Sequence, residues 1–163
     1  MEIVRGNLSD PKFLSSKMEG CDAVFHSAAY VAVENINIPL MHEINVVGTK
    51  NICRAALDAN IPKLIHFSSV HAFQQTPTDE PLDEHRPLVS NKNAPPYDKS
   101  KAEAQHVIYN ACNKGLNAVI LHPTGIIGPY DFKPSRMGKV LLDIMRKQEL
   151  NIFLLIHYLD VTV

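Results

Sequence analysis

The chain has 163 residues, 45% of them hydrophobic, and a formal net charge of −1, so it is one domain in size and long enough to bury a core. No basic run marks it for nucleic acid or an anionic membrane, no apolar stretch is long enough to span a bilayer, and the start Met1-Glu2-Ile3-Val4-Arg5-Gly6 lacks the basic-then-apolar order of a signal peptide. Three widely spaced cysteines, Cys21, Cys53 and Cys112, fit reduced thiols and a cytoplasmic protein better than a disulfide framework, and eight histidines without helical pairing or a CxxC argue against a metal site.

In chain order, Ile3-Val4 reads as the end of a short strand, followed by a turn and a helix starting near Asp10. Cys21 to Ala29 is a compact apolar run of the kind buried on both faces of a parallel sheet, and it ends in small residues that let a ligand approach the backbone. From Pro39 to Asn60, Met41, Ile44, Val47, Ile52, Ala55, Ala56 and Ala59 recur at helical spacing, and Asn60-Ile61-Pro62 stops the helix. Lys63 to Ser69 is a second strand ending in small polar residues. The polar, proline-rich stretch from Gln74 to Pro96 is long enough to suggest a functional loop. A helix then runs to about Asn113, a third strand spans Asn117 to His122, and a last helix from near Ser135 to Lys147 precedes the apolar tail Ile152 to Ile156. Strands alternate with helices throughout, which predicts an α/β fold with a doubly wound parallel sheet.

One pair on the third helix carries chemistry. Pro95-Pro96 suit a helix entrance, which places Tyr97 in the first turn and Lys101, four residues on, on the same face. A neighbouring ammonium and the positive end of a helix both favour phenolate, so the spacing predicts a Tyr97 acidity pulled toward neutrality and a tyrosine able to exchange a proton with a substrate oxygen. A Tyr-Lys pair on a solvated helix face has the same spacing, so the pair gains meaning from what surrounds it.

That company is an ordered set: Arg5-Gly6-Asn7-Leu8-Ser9-Asp10, His26-Ser27-Ala28-Ala29, Asn45-Val46-Val47-Gly48-Thr49-Lys50-Asn51, Phe67-Ser68-Ser69, Tyr97-Asp98-Lys99-Ser100-Lys101 and His122-Pro123-Thr124-Gly125-Ile126-Ile127-Gly128-Pro129. In this it resembles the extended short-chain dehydrogenases/reductases, the NAD-dependent epimerase/dehydratase family, and most of all their dihydroflavonol-reductase-like branch. The resemblance implies an NAD- or NADP-dependent oxidoreductase acting on a small-molecule ketone or secondary alcohol. It makes Tyr97 the acid/base, Lys101 its partner and a ligand of the nicotinamide ribose, Ser69 rather than Ser68 the holder of the substrate oxygen, and Asn45 the support of the lysine. Asn7, Leu8, Ala28 and Ala29 would lie against the cofactor, as would Pro123, Thr124, Gly125 and Ile126, and His71 would face the substrate. Strand-to-helix packing accounts equally well for the alanines and for Pro123 to Ile126, as an exposed helix face does for Asn45, and a lone loop histidine such as His71 is more often simply solvated.

The chain departs from that family at both ends. None of its seven glycines forms a GxxGxxG or GxGxxG turn to hold a pyrophosphate. The expectation is therefore a partial Rossmann-like NAD(P)-binding domain over residues 1–147, lacking the first βαβ unit and the C-terminal substrate domain, with a divergent tail at 148–163. Cofactor binding by such a chain is expected to be weak or absent and activity low. The strand Ala23 to His26 becomes a bare apolar sheet edge open to self-association. A sugar-nucleotide epimerase or dehydratase, and a non-catalytic interaction module, remain alternatives.

Overall fold

The computed structural model describes residues 2–32, 36–126, 128, 130–132 and 135–146. They fall into two units, Met1–His122 and Pro123–Val163. The tail from residue 147 onward, with its suggested extra strand, lies outside the described residues.

In the first unit the elements are α1 (Pro11–Met18), β1 (Val24–His26), α2 (Ile38–His42), a π-helical turn (Glu43–Val47), α3 (Gly48–Asp58), β2 (Leu64–Phe67), a 3-10 turn (Val70–Ala72), α4 (Pro96–Cys112) and β3 (Ala118–Leu121). The three strands form a parallel sheet in the order β1-β2-β3, with Val24 opposite Leu64 and Leu64 opposite Ala118. The parallel order follows from the crossover helices between the strands. Ile3 and Val4 form no strand and are exposed. This corrects the expectation at that position: the free side of the edge strand β1 is left unpaired among the described residues.

Strand alternation sorts the sheet residues into two sets. Val24, Leu64, Ala118 and Ile120 pack with Ile52, Cys53, Ala55 and Ala56 of α3 and Ile108 and Ala111 of α4 to make the core. The opposite set is poorly covered: Phe25 is 68% exposed, and Val119 and Leu121 are also open to solvent. Helix ends are specified locally. Asn60 takes a left-handed φ of 52°, and Ile61 N–H returns to the Ala56 carbonyl at 2.9 Å. After α4, Gly115 supplies φ +99° while Leu116 N–H reaches Ala111 O at 3.1 Å.

The loop between the 3-10 turn and α4 is ordered by pairing and by one arginine. Phe73 and Leu88 form an antiparallel bridge, and the Arg86 guanidinium donates to the carbonyls of Pro77, Glu80 and Pro81 at 2.9–3.0 Å. The second unit contains α5 (Arg136–Met145), whose first turn is capped by Ser135 Oγ accepting from Gly138 N–H at 3.0 Å.

Candidate active site

The C-terminal ends of the strands carry the candidate residues because a parallel sheet points all of these ends in one direction. Immediately after β2, Ser68 and Ser69 take different tasks. Buried Ser68 donates to Gln105 Oε1 at 3.2 Å, whereas Ser69 caps the 3-10 turn by accepting from His71 N–H at 3.2 Å. Ser68 is thus tied into the core, and the Ser69 hydroxyl lies beside the Tyr97 phenol.

Tyr97 occupies the first turn of α4, half-buried, and Lys101 follows one turn later with only 4% of its surface exposed. The Lys101 ammonium donates to the Phe67 carbonyl at 3.0 Å and lies 5.9 Å from the Tyr97 ring centroid. Burial lowers its pKa to about 8. The Tyr97 phenol moves opposite to the expectation from spacing: burial raises its pKa, Ser69 acts against that rise, and Asp98 adds to it. Desolvation of the phenolate outweighs an ammonium that is already occupied by a backbone oxygen, so the group stands as a protonated phenol.

Asn45 lies in the π-helical turn and is 2% exposed. Its side chain accepts from Tyr30 N–H at 2.7 Å, donates to Tyr30 O at 3.1 Å, and donates to Ser100 Oγ at 2.9 Å. Ser100 in turn donates to the Tyr97 carbonyl at 2.7 Å. Asn45 therefore reaches the first turn of α4 through Ser100, and it holds the chain just past Ala28 and Ala29. Thr49 Oγ donates to the Asn45 carbonyl at 2.7 Å and lies 2.9 Å from His26 Nε2, which makes His26 the donor of that contact.

Ser69, His71, Tyr97 and Lys101 thus converge on the end of β2 and the start of α4, with Asn45 linked behind them. Ala28 is exposed and Ala29 half-buried after β1. Asn7 and Leu8 lie elsewhere, on the α1 side of the unit. Asn7 Oδ1 accepts from Ser9 N–H at 3.0 Å, and the Leu8 carbonyl accepts from Asn51 of α3 at 2.8 Å. Pro123, Thr124, Gly125 and Ile126 belong to the second unit, where Pro123 is half-buried and the other three are exposed.

Sequence reasoning misses Ser100, Asp98 as the partner of His71, and a buried polar row. In that row Gln105 Oε1 accepts from Ser68 and from His122 Nε2 at 3.1 Å, while its amide donates to the Tyr109 hydroxyl at 2.7 Å. His66 is 2% exposed, lies 5.0 Å from the His26 ring centroid, and has no hydrogen-bond partner on either ring nitrogen among the described residues. The available signal is a histidine near the end of each of two apolar strands, His26 as the last residue of β1 and His66 as the residue before the last of β2, opposite each other in register. No group of three or more candidate metal ligands occurs among the described residues.

The residues fit one end of a dinucleotide better than the other. After its bond to Phe67, the Lys101 ammonium keeps two further N–H donors, the chemistry a ribose diol needs. The α1 N-terminus does not suit a pyrophosphate, because Asp10 places its own carboxylate there, accepting from Phe13 N–H at 3.0 Å, and Pro11 contributes no N–H. Gly6 provides no cradle either, since the Phe13 side chain fills the space a Cβ would take.

The sequence profile of the NAD dependent epimerase/dehydratase family matches residues 1–158, and the chain belongs to that family. It is 29% identical over 143 residues to sterol demethylase protein B of Methylococcus capsulatus, covering 88% of this chain and 43% of that one. A dihydroflavonol-4-reductase-like protein of Synechocystis sp. is 32% identical over 148 residues, covering 91% and 43%. Among solved structures, the dTDP-glucose 4,6-dehydratase DesIV of Streptomyces venezuelae, determined with NAD bound, superposes with a TM-score of 0.76 at 25% identity over 88% of this chain and 44% of that one. The structure of gox2253 does so with a TM-score of 0.74 at 36% identity, over 85% and 42%. The chain spans less than half the length of these relatives. No helix among the described residues is long and apolar enough to cross a membrane.

Proposed function

We propose that residues 1–147 form the catalytic part of an NAD(P)-dependent oxidoreductase that interconverts a ketone and a secondary alcohol, with 148–163 as a divergent tail. The observation that carries this reading is the convergence of the Ser69 hydroxyl, the protonated Tyr97 phenol and the desolvated Lys101 ammonium at the junction of β2 and α4. A nicotinamide, when bound, supplies or accepts the hydride. Lys101 would hold its ribose, with Ala28 and Ala29 as further contacts. Ser69 donates a hydrogen bond to the substrate oxygen, and Tyr97 transfers its proton to that oxygen as the carbon accepts hydride. A phenol whose pKa is raised is in the right form for that donation. Asn45 acts behind Tyr97 and Lys101 by holding Ser100 and the backbone of Tyr30.

The acidic cap on α1 and the absence of a Gly-rich turn in these 163 residues support weak cofactor binding by the chain alone. Three unpaired cysteines, one of them exposed, support a reducing, cytoplasmic setting. The superposition on a dTDP-glucose dehydratase favours a second reading, sugar-nucleotide epimerisation or dehydration, in which the same Tyr97 and Lys101 would serve. The exposed Phe25 on the edge strand favours a third, an interaction module.

Fluorescence titration of the chain with NADH and NADPH tests the first reading. Weak saturable binding that disappears in Lys101→Ala is the expected result. Binding that is indifferent to both Lys101→Ala and Tyr97→Phe overturns it.

A further inference from the structure

The 3-10 turn capped by Ser69 does more than end β2: it carries the His71 ring to the first turn of α4. There the ring meets Tyr97 edge-on, with centroids 6.3 Å apart, and His71 Nδ1 lies 3.6 Å from Asp98 Oδ1. Asp98 is only 8% exposed, and His71 is its one ion-pair partner among the described residues. A carboxylate withdrawn from water this far needs a cation or a full set of donors, so the position favours imidazolium. Asp98 accordingly raises the His71 pKa against the opposing effect of burial. With Nδ1 turned to Asp98, Nε2–H is left as a donor on a side chain that is 54% exposed.

We propose that the His71–Asp98 pair is a second substrate-binding group beside Ser69 and Tyr97, and that it takes the carboxylate of a short oxo or hydroxy acid. This rests on the reading of Ser69 and Tyr97 as holders of the reacting oxygen. The His71 and Tyr97 rings, with centroids 6.3 Å apart, are near enough for one short molecule to touch both, as an oxo acid with its carboxylate a few bonds from its carbonyl would. The nearby Asp98 charge disfavours a dianion such as a phosphate monoester, because one imidazolium already balances one carboxylate. A singly charged carboxylate accepts a charge-assisted hydrogen bond from Nε2–H and adds one negative charge where a dianion adds two. The titratable groups set against His71 are Asp98 and Tyr97, both from the first turn of α4.

The test is histidine-selective NMR on the 163-residue chain without nicotinamide, with acetoacetate as probe and its uncharged methyl ester as control. Acetoacetate is expected to shift the His71 ring resonances saturably, the ester to bind about tenfold more weakly, and His71→Gln to weaken acetoacetate by a similar factor. Asp98→Asn should lower the His71 titration midpoint and weaken acetoacetate with it. Equal responses to acid and ester overturn the proposal on the unaltered chain, whatever the variants do. A chain that ignores NADH but binds acetoacetate through His71 upholds this inference while removing the cofactor step from the reading above.

Discussion

The Lys101 ammonium donates to the carbonyl oxygen of Phe67 across 3.0 Å, tying α4 to the last residue of β2. Ser68 and Ser69 follow Phe67 directly, so this one bond sets the spacing between the lysine and the serine that faces Tyr97. It also holds a charge in a position that burial makes unfavourable.

That cost gives a signed pH dependence. Lys101 titrates near 8 when folded, against 10.5 for the free side chain. Below pH 8 both states are protonated and the folded state bears the full cost. Between 8 and 10.5 only the unfolded state holds the proton, so this contribution makes stability rise with pH, by a total of about 3 kcal/mol. Lys101→Met should flatten that rise. Urea denaturation of both chains at several alkaline pH values checks it, and an unchanged slope in the variant refutes the assignment.

The His26–His66 pair acts at the other end of the scale. Burial lowers His26 to about 4 and His66 to about 3, with Lys101 adding to both shifts and His26 and His122 adding to that of His66. Above pH 6.5 both rings are neutral in either state and contribute nothing. Below it the unfolded chain takes up protons that the folded chain refuses, so stability falls as pH drops toward 4. His66→Leu removes a ring whose nitrogens have no described partner. It should be neutral or stabilising at pH 7 and should shift the acid unfolding midpoint downward, measured by circular dichroism against pH.

Much of this architecture is legible in the sequence, and the failures have physical causes. The strands at Val24, Leu64 and Ala118 are short apolar runs between turn residues, and α4 announces itself through Pro95-Pro96 and its helix formers. Ser68 spends its hydroxyl on Gln105 and Ser69 accepts from the 3-10 turn, a division of hydrogen bonds that the adjacent pair of serines does not announce. Local pattern does not reveal what a side chain spends its hydrogen bonds on. Asn45 looks like a residue on a helix face, yet it bonds to Tyr30, whose place beside it depends on where the chain turns after β1. The acidity of Tyr97 fails for a related reason: spacing shows the cation but not the burial, nor that Phe67 has taken one of the lysine's donors. Ile3-Val4 has the composition of a strand, but composition does not show whether a neighbouring strand lies beside it, and among the described residues none pairs with it.

Asn45 should be among the most sensitive positions for stability. Asn45→Ala leaves the N–H and carbonyl of Tyr30 without their side-chain partners and takes a donor from Ser100, for an expected loss of about 2–4 kcal/mol. Asn45→Asp keeps the acceptor for Tyr30 N–H but sets a carboxylate oxygen against the Tyr30 carbonyl in a buried site, so it should not rescue the loss. Chemical denaturation of the two variants checks both statements, and a loss below about 1 kcal/mol in Asn45→Ala would mean that the clamp contributes little.

The edge strand supplies the last prediction. Phe25 is 68% exposed in β1, which has a neighbour on one side only among the described residues, and the partly exposed Val119 and Leu121 alternate to the same face of the sheet. An unpaired strand edge beside exposed apolar side chains is a template for association. The chain should therefore self-associate in a concentration-dependent way by sedimentation velocity. Phe25→Lys, which puts a charge on the edge without touching the α3 and α4 side of the sheet, should shift the population toward monomer while leaving thermal unfolding nearly unchanged. A monomeric parent chain at high concentration would rule the surface out as an interface between copies, and association undiminished in Phe25→Lys would move the contact away from β1.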